Sequence, residues 1–213
     1  MASCIPTFIT ALLVLAIGSS ALPILSLASL IQSLETTPTI PLNGLPAPNG
    51  LTLQYIALGE GTQNYSCSAV GAPPTSDGAL ATLYDATTIL SVMPTLLQPY
   101  AVGNITTIAY NTDNSLGLPL LGHHFFSTAL VPTFNLETKG LLLSAKKEGD
   151  VPAPAGSLAN SVDWLYLADD GRGVSVGLKA VYRVETASGK APATCSTTGI
   201  ITERYTALYW FYD

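Results

Sequence analysis

Two adjacent histidines, His123 and His124, are the chain's whole histidine complement. Histidine is the side chain best suited to proton transfer near neutral pH, or to binding zinc or copper. The run around them, Leu118 to Ser127, reads as a strand. Successive strand residues point to opposite faces, so the two rings cannot chelate one ion, and one belongs inside while the other meets water. Carboxylates for a glycosidase-like pair, which such enzymes set ~5 to 10 Å apart, are available at Asp85, Asp163 and Glu185. Arg183, two residues before Glu185 on the same strand face, reads more simply as its surface ion-pair partner. The catalytic candidates are therefore His123, His124, Asp163 and Glu185. A dinucleotide site needs G-x-G-x-x-G between a strand and a helix. Gly59-Glu60-Gly61 has Asn64 where the third glycine belongs, and Gly171-Arg172-Gly173 falls within a hairpin. Neither H-E-x-x-H, a Walker loop nor C-x-x-C occurs, so no cofactor and no metal is expected. Trp164, Tyr166, Tyr182, Tyr205, Tyr209, Trp210 and Tyr212 supply either core or a sugar-stacking or cavity-lining surface.

The elements that must carry these residues are short apolar runs punctuated by Gly, Pro, Asn and Asp, the pattern of successive strands. After a Pro-rich extended lead-in over 36–50, strands are expected at Leu51 to Leu58 and Thr62 to Val70, joined at Gly59-Glu60-Gly61, and at Ala79 to Tyr84. Asp85 can cap a short helix that runs through Met93 and that Pro94 ends. Leu118 to Ser127, Leu130 to Phe134 and Gly140 to Ala145 follow as strands, and residues 146–157 have no apolar period and read as a mobile loop. Asp170-Gly171 between alternating runs marks a hairpin. On its return strand Val174, Val176, Leu178, Ala180, Tyr182 and Val184 read as the core face and the residues between them as the wet one. Tyr205 to Tyr212 is aromatic on both faces and predicts a strand covered from both sides, near the centre of the fold. Many strands without βαβ alternation predict an all-β fold, an antiparallel sandwich or barrel with at most short helices.

The first residues, with an apolar stretch from Phe8 to Ile17 ahead of Gly18, Ser19, Ser20 and Ala21, read as a secretory signal cleaved after Ala21. The alternative is an uncleaved anchor, since apolar residues continue to Leu34; Pro23, Ser26, Ser29 and Gln32 interrupt that run, and a spanning helix needs ~20 mostly apolar residues. Residues 27–34 also keep helical spacing. Cys4 leaves with the signal, and the remaining pair, Cys67 and Cys195, is expected to form a disulfide. Asn64-Tyr65-Ser66 and Asn104-Ile105-Thr106 are glycosylation sequons on the same route. The domains expected are thus a signal at 1–21, a lead-in at 22–50 and one β-rich domain at 51–213. Only 10% of residues are charged and the formal net charge is -6, which argues against nucleic acid or an anionic membrane as partner.

Taken in order, Gly59 through Cys67, Ala81-Thr82-Leu83-Tyr84-Asp85-Ala86, Gly122-His123-His124-Phe125-Phe126, Val162-Asp163-Trp164-Leu165, Val181 through Thr186, Pro192-Ala193-Thr194-Cys195 and Tyr209-Trp210-Phe211-Tyr212 resemble the secreted, largely fungal family catalogued as domain of unknown function 3455. The resemblance spans the chain from about Leu51 onward. It implies no particular reaction, and the malate dehydrogenase label some members carry finds no nucleotide motif here.

These readings favour a secreted binding or interaction protein, acting outside the cell or at its wall on a ligand such as a cell-wall glycan or a host protein. Two alternatives stay open: a secreted hydrolase pairing a histidine with a carboxylate, and a carrier of a small apolar ligand.

Overall fold

The structure is a computed structural model that describes residues 37–96, 102–127 and 130–213. The expected signal, its cleavage point and the helical stretch at 27–34 lie outside the described residues.

Eight strands form a closed antiparallel barrel in which each pairs with its sequence neighbour and the last returns to the first. They are β1 (Leu53–Cys67), β2 (Thr75–Asp85), β3 (Leu120–Phe126), β4 (Pro132–Leu136), β5 (Leu141–Val151), β6 (Trp164–Asp169), β7 (Ala180–Ser188) and β8 (Gly199–Tyr212). Two helices, α1 (Thr87–Leu96) and α2 (Val102–Thr112), fill the crossover from β2 to β3. The closing seam is the longest, with β1 and β8 paired from Leu53 opposite Tyr212 to Cys67 opposite Gly199.

The barrel has two apolar cores because side chains alternate across its wall. Ala57, Leu83, Leu121, Phe134, Leu143, Val181, Tyr209 and Phe211 belong to the lumen cluster. Ile56, Leu58, Trp164, Tyr182, Leu208 and Trp210 belong to an outer cluster with Leu90 of α1, Ile105 and Ala109 of α2, and Ile40 and Leu45 of the lead-in. The described part of the lead-in forms no helix or strand and turns at 43–44 and 49–50, and the Tyr182 hydroxyl donates to the Pro46 carbonyl at 3.0 Å. The expected two-sided burial of 205–212 holds, since Tyr205, Ala207, Tyr209 and Phe211 face the lumen while Leu208, Trp210 and Tyr212 face outward.

Several expectations on strand boundaries are corrected. Gly59 and Gly61 do not end a strand; β1 runs through them. A Cβ on Gly59 would lie 2.5 Å from the Tyr209 ring, and one on Gly61 would lie 1.8 Å from the Leu80 carbonyl oxygen. These glycines let neighbouring groups approach a tightly coiled wall, and the same residue type that makes a turn makes that approach. Residues 146–151 are not a loop but the second half of β5, paired with β6 from Lys146 opposite Ala168 to Val151 opposite Trp164. Ladder hydrogen bonds, not apolar periodicity, fix this stretch, and a register shift between Lys147 and Gly149 disrupts its alternation. The 170–171 hairpin exists, but its strands end at Asp169 and resume at Ala180, so ten residues replace a two-residue turn.

On β7 the expectation of one wet face fails. Val181 lies in the lumen, as Tyr182 and Val184 lie under the outer cover, whereas Val174 and Val176 precede the strand and are exposed. The charge of Arg183 disguises the lumen face. Asp85 Oδ1 accepts from Thr87 N at 3.0 Å, capping α1 as expected, but α1 continues past Pro94 to Leu96. Proline removes one backbone bond without forbidding the next turn. No expectation covered α2, whose sequence is rich in β-branched residues. It is held over the barrel by Thr206, whose hydroxyl donates to the Thr106 carbonyl at 2.7 Å, and by Arg204, which donates to the Tyr110 carbonyl at 2.7 Å.

Candidate functional site

One end of the barrel is filled and the other is open. At the filled end Phe211, Leu121 and Leu136 meet Leu178 from the β6–β7 connection, which also pairs Val176 N with the Leu142 carbonyl at 2.8 Å. Toward the other end β2 turns only Ala79 and Ala81 inward. Small side chains there leave a cavity of about 640 Å3. Its walls include Phe126, Phe134, Val162, Leu165 and Leu167, and its polar groups converge from Gln63, His124, Arg183 and Tyr209.

The mouth is rimmed by Pro73 and Pro74 from the β1–β2 loop and by residues 190–193 from the β7–β8 loop. Cys67 and Cys195 are joined, with Cα atoms 5.7 Å apart, and this disulfide ties the two rim loops together. Gly71 N donates to the Cys195 carbonyl and Cys195 N to the Ala72 carbonyl, each at 2.8 Å. On the neighbouring wall the Tyr65 hydroxyl donates to the Gly189 carbonyl at 2.8 Å.

His124 enters this cavity because it is on the inward phase of β3. Its ring stacks on Phe134 at 4.1 Å between centroids and 8° between planes. Nδ1 lies 2.9 Å from the Thr133 carbonyl, and since a carbonyl only accepts, that nitrogen carries the proton. Burial drives the imidazole pKa down to about 4, with the Arg183 charge acting in the same direction. His124 is therefore neutral at pH 7, with Nε2 an acceptor. His123, on the opposite face, is exposed, and its Nδ1 lies 2.6 Å from Glu137 Oε1. The divergence expected of the two rings is what the barrel wall imposes.

Also in the lumen, the hydroxyls of Tyr205 and Tyr209 share a hydrogen bond of 2.7 Å. Burial raises the pKa of both phenols, and at Tyr209 the neighbouring Arg183 guanidinium works against that rise. Arg183 donates through one terminal nitrogen to the Asp163 carbonyl at 2.9 Å and through the other to Gln63 Oε1 at 3.5 Å. Its Nε and the Gln63 Nε2 are buried without any hydrogen-bond partner. A buried unsatisfied donor costs about 1–3 kcal/mol, and this cluster holds more donors than acceptors.

The family described as "Protein of unknown function (DUF3455)" matches residues 46–213. The chain belongs to this family. No curated protein matches the chain, and no solved structure does. The family match covers every strand of the barrel and both helices, so the cavity is built wholly from residues within it.

Of the expected site residues, His124 and Asp163 reach the cavity, though the Asp163 side chain is exposed at the mouth. His123 lies outside it, in a shallow outer groove with Glu60, Thr62 and Leu80. Asp85 caps α1 from the end of β2 opposite Ser76 and Gly78, which line the cavity. The expected Arg183–Glu185 surface pair does not form. Glu185 adopts φ 50° beside a register shift between Val184 and Ala187, and this bulge breaks the alternation that would have set the two on one face. Burial raises the Glu185 pKa, and Arg183 turns into the lumen. Gln63, Arg183 and the Tyr205–Tyr209 pair were not singled out as one site by sequence. The only available signal was the inward phase of each strand, which the glycine break placed in β1 and the bulge in β7 concealed. Among the described residues no group of three His, Cys, Asp or Glu side chains is placed to hold a metal ion. The sequon Asn64 lies on β1, its Oδ1 accepting from the Thr62 hydroxyl at 3.1 Å, and Asn104 lies on α2.

Proposed function

We propose that this chain is a secreted binding protein that takes one small, largely apolar ligand into the open end of its barrel, acting as a carrier. The observation that carries the reading is the cavity of about 640 Å3, a size typical of small-molecule sites, with apolar walls and a few convergent polar groups. An eight-stranded barrel has room for side chains or for one such ligand, and here the inward alanines of β2 leave the second option. A hydrolase is less well supported: His123 and His124 diverge, and His124 spends its proton-bearing nitrogen on a backbone carbonyl. The paired Cys67 and Cys195 favour an oxidising compartment, and no described helix is long and apolar enough to cross a membrane.

Titration with an environment-sensitive apolar dye tests this reading. Wild type is expected to bind at 1:1 stoichiometry, and Leu165→Trp, which fills the half-buried wall position, to lose at least about tenfold in affinity while melting cooperatively. Absence of saturable binding to wild type, or undiminished binding to the filled variant, defeats the proposal.

A further inference from the structure

The polar floor of the cavity has too many donors for its acceptors. Arg183 presents five N–H groups and Gln63 two, whereas the acceptors within their reach are the Asp163 carbonyl, the Gln63 amide oxygen and the Tyr205 and Tyr209 hydroxyls. Arg183 Nε and Gln63 Nε2 are both buried without a hydrogen-bond partner, and Gln63 is only 7% exposed. Turning the Gln63 amide over does not relieve the excess, since it would set amide N–H against guanidinium N–H. The guanidinium also lacks a counter-charge, because no ion pair among the described residues includes it. Of the carboxylates lining the cavity, Asp150 is paired with Lys147, and Asp163 offers Arg183 its backbone oxygen while its side chain faces solvent.

A half-buried cation whose Nε is buried and unused, set in apolar walls, is a receptor for an anion. Resting on the cavity-binding reading above, we infer that the ligand carries a carboxylate head, clasped by Arg183 and Gln63, with its apolar body between Phe126, Leu165 and Leu167. Two oxygens sharing one negative charge match two free donors and one guanidinium. A phosphate monoester would bring close to two charges into a pocket whose floor supplies one, and its second charge would be left poorly compensated.

Competition against the dye with a matched series separates the two layers of this reading. Decanoate, decanol, decyl phosphate and decylammonium share a chain and differ in the head. Decanoate is expected to bind wild type at least about tenfold more tightly than each of the others. Arg183→Met should erase that preference while decanol binding persists, and Arg183→Lys, which keeps the charge without the fork, should retain part of it. Equal affinity for acid and alcohol overturns the carboxylate inference and leaves the cavity reading standing. A stronger hold on decyl phosphate overturns it in favour of phosphate. If neither the dye nor any member of the series binds wild type, the cavity reading falls and this inference with it. Should Arg183→Met fail to fold, the wild-type series and Gln63→Leu, expected to weaken decanoate more than decanol, still decide.

Discussion

The two ends of the barrel are built from the same eight strands and packed to opposite purposes. At the filled end large residues converge: Phe211, Leu121 and Leu136 are fully buried, and the β6–β7 connection adds Leu178. At the open end alanines replace them, and the rim loops are tied by a covalent bond in place of apolar contact. Stability and vacancy are thus segregated along one axis. A ligand can enter the loose end without disturbing the packing that keeps the wall closed.

The contrast is sharpest in what truncation should cost. Phe211→Ala removes a ring from a close-packed layer and is expected to destabilise by about 3–5 kcal/mol. Leu165→Ala, beside existing space, should cost only about 1 kcal/mol. Urea denaturation of both variants measures this, and equal losses would mean that the two ends are packed alike.

Removing the disulfide should act chiefly at the mouth. Cys67→Ala with Cys195→Ala opens a link spanning 128 residues, and the expected loss is about 2–5 kcal/mol. Amide exchange should quicken in residues 71–75 and 189–196 while β8 near Phe211 stays protected. Alkylation of two free thiols in the unreduced native protein would remove the premise.

Acid should also find the open end. The His124 pKa is lowered to about 4 in the folded state, so the unfolded chain takes up the proton first as pH falls. Stability from this group is intact above pH 6.5, declines between 6.5 and about 4, and levels off below. The full gap amounts to about 3 kcal/mol. His124→Phe, which can keep the stack on Phe134, should flatten this part of the stability profile when compared with wild type. An identical slope in the variant would show that other groups carry it. The smallest effect belongs outside the barrel: His123→Ala loses an exposed pair with Glu137 and should shift stability by less than about 0.5 kcal/mol.

The filled end was the more legible of the two in sequence. Tyr209-Trp210-Phe211-Tyr212 has no polar phase at all, and only a wall covered on both sides can bury it. The opposite facing of His123 and His124 likewise follows from strand geometry alone. The open end was not legible, because its information lies in register. Arg183 looks like a solvated residue until its partner Leu165 across the β6–β7 ladder is known. The glycines at 59 and 61 look like a turn until Tyr209 and Leu80 are seen pressing on them. Lys146 to Asp150 look like a loop because charged side chains at the solvent-exposed end of a strand need no apolar companion. Each misreading came from a long-range neighbour that no local pattern announces.

The β1–β8 seam also sets an order of events during synthesis. β1 is made early and β8 more than a hundred residues later, yet they share the longest ladder in the molecule, and ladders of such separation are slow to form. Until β8 arrives, β1 and β7 each present an open edge, and unpaired edges invite pairing between chains. Cys67 must likewise wait for Cys195. A nascent chain is therefore most vulnerable to association with its own copies just before its final strand emerges, and a chaperone or isomerase that shields β1 in that interval should raise the yield of closed barrels more than it speeds any later step.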